Sequence, residues 1–119
     1  MMNDIIPIYH NKYGISFRWK RTIGYKDPDK VQLVFREMGF YFSVNQLKDF
    51  LYFTQQSRKH TDYCNCDVKE QARCILLKTP SSHIELAVNS VELDQIEDLL
   101  QGTLFHLSLN NLLVEKGLF

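Results

Sequence analysis

The sequence predicts an α+β domain in which two imperfect ββα-like repeats contribute an antiparallel sheet backed by two amphipathic helices. Three observations carry that expectation. Apolar residues alternate with polar ones over 13–26 and again over 31–42, the period of a strand with one wet face. The period lengthens to 3.6 after Ser43 and after Asn89, each three residues ahead of Gln46 or Glu92, which is the capping-box spacing of a helix start. An offset of 46 residues then lays Phe40 on Leu86, Phe42 on Val88, Ser43 on Asn89, Gln46 on Glu92, Leu47 on Leu93, Phe50 on Ile96 and Phe53 on Leu99. A hairpin plus helix cannot bury its apolar face alone, so two such units sharing one core is the economical architecture.

The chain of 119 residues has the length of one domain. Its expected divisions are a first ββα unit over about 13–60, a connection over 61–72, a second unit over about 73–102 and an apolar segment over 103–119. The first strand lies in YGISFRWKRTIGYK, residues 13–26. There Tyr13, Ile15, Phe17, Trp19, Ile23 and Tyr25 form the row expected to face the core, and Ser16, Arg18, Lys20, Thr22 and Lys26 form the solvent row. Arg21 interrupts the apolar row, as a bulge, a sheet edge or a snorkelling stem would allow. GYKDPDK supplies a turn through Gly24, Pro28 and two aspartates. Val31, Leu33 and Phe35 then run into a reversal placed at Glu37, Met38 and Gly39, and Phe40 to Phe42 return. Val44, Leu47, Phe50, Leu51 and Thr54 mark one face of a helix reaching about His60. The second unit reads as a strand over 73–78, a TPSSH turn, a strand over 83–88 and a helix to about Gln101, with Gly102 as its stop. The last stretch, TLFHLSLNNLLVEKGLF, fits a strand through Phe105, Leu107 and Leu109 or a short helix through Leu109, Leu112 and Leu113; periodicity does not decide between them.

Composition bounds the classes. A hydrophobic fraction of 45% supplies enough apolar area that neither metal nor disulfide is required to hold a core of this size. No apolar run approaches the roughly 20 residues of a membrane-spanning helix, and MMNDIIPIYHNK lacks the basic start and apolar run of a signal peptide, so a cytoplasmic protein is expected. Three cysteines, an odd number clustered at 64, 66 and 74, suit reduced thiols. The zero net charge hides an asymmetry: residues 1–60 carry ten Lys and Arg against five Asp and Glu, and residues 61–119 carry four against nine. The two halves therefore attract each other within one chain or between two copies.

Few constellations carry chemistry. His60, Cys64, Cys66 and Cys74 offer four soft ligands, the number tetrahedral zinc takes, but the C-x-C spacing is not the usual C-x2-4-C knuckle and Cys74 falls in a strand. No metal or other cofactor is expected. His10, His83 and His106 lie scattered, and Ser81, Ser82 and His83 occupy a turn without a G-x-S-x-G elbow, so no catalytic residue is named. Glu92, Asp94, Glu97 and Asp98 form the polar face of the second helix. There is no P-loop and no G-x-G-x-x-G. Arg18, Lys20, Lys26 and Arg36 are the candidates for binding nucleic acid or an anionic ligand. Sheet proteins that bind single strands put aromatic platforms and cations on one face. The alternation here sends Phe17 and Trp19 one way and Arg18 and Lys20 the other, which argues against nucleic acid. Leu109, Leu112, Leu113, Leu118 and Phe119 are the candidates for an interface.

The motifs YHNKYG near the start, GFYFSVNQLKDF, and RCILLKTPSSHIELAVNSVELDQIEDLLQ together resemble a family of short uncharacterised proteins of Bacteroidetes, a domain of unknown function, over most of the chain. The resemblance implies the fold plan and no activity. Many members carry C-x-x-C near the first strand, where this chain has RWKR, and the zinc reading weakens accordingly. The expected function is a small interaction or adaptor module that self-associates, with nucleic-acid or anion binding as the alternative and a zinc-stabilised domain behind both.

Overall fold

The computed structural model describes residues 4–24, 26–59 and 73–115, with side chains through residue 110. Eight elements follow in order: β1 (Ile5–His10), β2 (Gly14–Trp19), β3 (Val31–Phe35), β4 (Met38–Phe42), α1 (Val44–Lys59), β5 (Ile75–Lys78), β6 (Glu85–Val88) and α2 (Ser90–Glu115). The fold is α+β. Its strands form two sheets, an antiparallel meander in the order β1-β2-β3-β4 and a separate β5-β6 hairpin.

Hydrophobic burial explains the arrangement. Val31, Leu33, Phe35, Phe40 and Phe42 present one face of the large sheet to Leu47 and Phe50 of α1 and to Leu93, Ile96, Leu99 and Leu100 of α2, while Ile75, Leu77, Leu86 and Val88 bring the small sheet into the same core. Phe50 meets Phe40 and Phe42 edge-on at 5.9 and 6.0 Å between ring centroids, a favoured aromatic geometry. Both helix starts are closed reciprocally. The Ser43 amide donates to Gln46 Oε1 (2.9 Å) and the Gln46 amide to Ser43 Oγ (3.2 Å); the Asn89 amide donates to Glu92 Oε1 (3.0 Å) and the Glu92 amide to Asn89 Oδ1 (2.8 Å).

Four local features differ from the sequence reading. First, β1 precedes the strand taken as first. IIPIYH has no clean alternation, because Pro7 sits on an edge strand where its missing N–H is tolerated and the register slips between Pro7 and Tyr9. Second, the β3–β4 reversal falls at Arg36 and Glu37; Met38 and Gly39 already belong to β4, paired with Phe35 and Val34. Arg36 takes φ 54°, a left-handed conformation unusual for a residue with a Cβ. Third, Gly102 does not stop α2. A Cβ there would stand 2.3 Å from Tyr9 Cε2, so the glycine marks where β1 crosses closely over an uninterrupted helix. Fourth, the two faces of β2 are exchanged. Ser16 pairs with core residue Leu33 and is fully buried beneath α2, its hydroxyl 2.6 Å from Thr103 Oγ1. Phe17 pairs with Gln32 and Ile15 with Val34 on the side away from the helices. The small side chain of Ser16 permits α2 to approach, and Phe17 is left on the other side.

Candidate functional site

The densest polar cluster joins four elements around one carboxylate. Glu92, in the first turn of α2, is 8% exposed. Arg36 reaches its Oε2 through Nε (3.0 Å) and Nη2 (2.7 Å), Arg73 takes Oε1 through Nε (3.0 Å) and Oε2 through Nη2 (3.1 Å), and Tyr13 Oη donates to Oε2 at 3.3 Å. Burial works to raise the Glu92 carboxyl, but the hydrogen bonds from Arg73, from the Asn89 backbone and from Arg36 prevail and hold it below its ordinary value. Burial first, then the Glu92 charge, pushes the Tyr13 hydroxyl up to about 12. A cleft of about 390 Å³ opens beside the cluster, lined by Arg36, Glu37, Met38 and Arg73. The carboxylate is already surrounded by donors, and both guanidiniums already have an anion. Chemically this is a clasp between the two hairpins and α2.

The acidic face of α2 has a second engagement: Arg58 of α1 holds Asp94 and Glu97. The basic first half and the acidic second half of the chain thus meet within one molecule, at Arg36–Glu92 and at Arg58, which answers part of the charge asymmetry without a second copy.

The four cations named as a binding set do not form one surface. Arg36 belongs to the Glu92 clasp at one end of β3. Arg18 is half-buried on the helix side of β2, and its Nε is buried without a hydrogen-bond partner. Lys20 is exposed beyond β2. Lys26 lies at the opposite end of β3 from Arg36, donating to Gln32 Oε1 at 2.9 Å and standing 4.7 Å from the centre of the Tyr41 ring. Lys30, which sequence reasoning did not single out, stands over the same ring at 5.2 Å. On that helix-free face Phe17 and Trp19 meet edge-on at 5.5 Å, Trp19 Nε1 donates to Gln32 Oε1 at 3.4 Å, and Tyr41 donates to Asp27 O at 3.1 Å and accepts from the Asp27 amide. Residues 26–30 therefore bring Lys26 and Lys30 to the aromatic side. A turn that folds back on its own sheet was the signal, and composition alone does not show its direction.

Among the interface candidates, Leu109 is 38% exposed on α2, and Phe105, one turn earlier, is 63% exposed. The side chains of Leu112 and Leu113, and all of Leu118 and Phe119, lie outside the described residues, as do His60, Cys64 and Cys66. Cys74 is exposed and disulfide-bonded, which corrects the expectation of reduced thiols and removes it as a metal thiolate while so bonded. Among the described residues no three His, Cys, Asp or Glu side chains come together as a metal site. His106 lies between the rings of Tyr9 and Phe105, and Ser81 is held in its turn by Thr79, whose hydroxyl accepts from its amide at 3.2 Å.

The elements and their two sheets define an α+β protein. No helix among the described residues is long and apolar enough to cross a membrane. No family model, curated protein or solved structure matches the chain.

Proposed function

We propose that the protein is a small interaction module that self-associates through the C-terminal half of α2. The observation that supports this reading is the course of that helix. It runs for 26 residues, about 39 Å at 1.5 Å per residue, straight through the glycine expected to end it. Leu107 is the last buried residue described, and Ser108, Leu109 and Asn110 beyond it are all exposed. Phe105 and Leu109 are spaced i, i+4, and Leu112 continues the spacing at i+7 in sequence, the stripe by which one helix packs along another. A helix paired with its counterpart would bury two exposed large side chains from each copy, with hydrophobic matching supplying affinity.

Light scattering on the untagged chain tests this. The expected mass is twice 14.1 kDa. A chain truncated after Leu109 is expected to be a folded monomer that loses only the helical signal of residues 110–115, and one carrying Phe105→Glu with Leu109→Glu a folded monomer with unchanged far-UV circular dichroism. A full-length monomer at every concentration, or a dimer indifferent to the Phe105 and Leu109 substitutions, would overturn the reading. The disulfide at Cys74 is a feature of oxidising compartments, so the proposal does not depend on a cytoplasmic location.

A further inference from the structure

We infer that the helix-free face of the four-stranded sheet binds single-stranded nucleic acid, with Phe17 and Trp19 as the base-stacking platform and Lys26 and Lys30 as the phosphate contacts. The objection raised by the sequence, that stack and charge lie on opposite sides of β2, does not reach Lys26 and Lys30, which come from beyond that strand. The structure places Phe17 and Trp19 on the side away from both helices, and Lys26 and Lys30 join them there around Gln32 and Tyr41. Tyr41 fixes this arrangement. Its ring holds both ammoniums by cation–π contact and its hydroxyl grips the Asp27 backbone, so the cations are positioned rather than free to swing away.

Charge favours a polyanion over a second protein sheet. In a chain with no net charge, Lys26 and Lys30 stand together at the rim of the aromatic row, while Arg18 lies on the other side of β2 and Arg21 is paired with Asp4. Lys30 is in no ion pair among the described residues. Flat rings flanked by cations match unpaired bases and their phosphates, whereas a duplex hides its base faces. Gln32 lies between the rings and Lys26 on the same face, where its amide accepts from both Trp19 and Lys26. This surface is distinct from the α2 stripe, so the inference does not rest on self-association.

Trp19 is the only tryptophan, and its fluorescence reports on the site directly. An oligothymidylate of about 12 residues, within the roughly 4–16 nucleotides a single sheet domain covers, is titrated against the intact protein. Trp19 emission is expected to quench saturably. Raising salt from about 50 to 200 mM is expected to weaken binding about sevenfold, the effect of releasing counterions from roughly two phosphates on a single strand. Lys30→Ala should lower the salt slope by about 0.7, and Phe17→Ala should weaken binding about five- to hundredfold. Thermal melts confirm that each variant is folded; Lys30, being exposed, keeps the test available should Phe17→Ala fail to fold. Three results would each overturn the inference: no quenching at low salt, an abasic strand of equal length binding as tightly as the thymidylate, or a Trp19 shift driven by protein concentration alone, which would make the face an interface between copies.

Discussion

Glu92 shows how much one side chain carries here. It closes the N-terminus of α2, neutralises Arg36 in the β3–β4 turn, and ties Arg73 at the entry to β5. Glu92→Gln keeps a capping acceptor but removes the charge, and is expected to cost about 1–3 kcal/mol, the range for hydrogen bonds to charged groups. Most of that loss belongs to Arg36, because the more exposed Arg73 is screened by water. The pH dependence has a definite sign. A carboxyl held below its unfolded value stabilises the fold above that value, and this contribution is lost as pH falls through the lower, folded value. Acid melting curves should therefore fall less steeply below about pH 4.5 in Glu92→Gln than in the parent. Tyr13 acts in the opposite direction. Its hydroxyl is raised to about 12, so stability is lost as pH climbs from about 10 through that value, and Tyr13→Phe should flatten the alkaline limb. Parallel acid limbs in parent and Glu92→Gln proteins would remove Glu92 as the titrating clasp. The capping role was readable from Asn89 and Glu92 three residues apart; the arginines were not, because they arrive from positions 56 and 19 residues away.

At the scale of elements, the sequence revealed periods better than it revealed sides. Alternation separated Ser16 and Arg18 from Phe17 and Trp19, yet both rows are plausible core rows until the helix above them is placed. The deciding residues are small: Ser16 against Thr103, and Gly102 against the Tyr9 ring. Helix α1 was legible because one period ran from a capping box to a basic end at Arg58 and Lys59. The course of α2 was not, because glycine is both a common helix stop and the residue required for close crossing. These two roles make opposite predictions for Gly102→Ala. In an open helix the alanine would gain about 1 kcal/mol. Here its Cβ meets three Tyr9 ring atoms at 2.3–2.5 Å, and the overpacking should cost about 1–3 kcal/mol. With Tyr9→Ala as background the clash is gone, and Gly102→Ala is expected to become stabilising. Chemical denaturation of the four proteins reads this reversal of sign; an unchanged effect of the alanine in both backgrounds would mean that Tyr9 does not set the glycine.

For the whole molecule, the open question is what the Cys74 disulfide does to stability in each compartment. The core is built from both sheets and both helices, so its cohesion does not depend on the bond. The remaining cysteines are Cys64 and Cys66, and an intramolecular bond from Cys74 to either closes a loop of 11 or 9 residues. Chain-entropy arguments assign such a loop about 2–3 kcal/mol, chiefly by restricting the unfolded chain. For a domain of this length that corresponds to a fall of about 10 °C in melting temperature on reduction. Cys74→Ser should melt at the temperature of the reduced parent and show no further response to reductant. If the reduced and oxidised proteins melt together, the bond constrains a segment that does not unfold with the core. A fall of the expected size would give the protein two stabilities, the higher one where thiols are oxidised and the lower one in a reducing cytoplasm, where such bonds are rarely kept. Self-association should be measured in both states, because mass action adds to stability only when the partner binds the folded form. A dimer that persists in reductant would show that α2 pairs independently of the Cys74 disulfide.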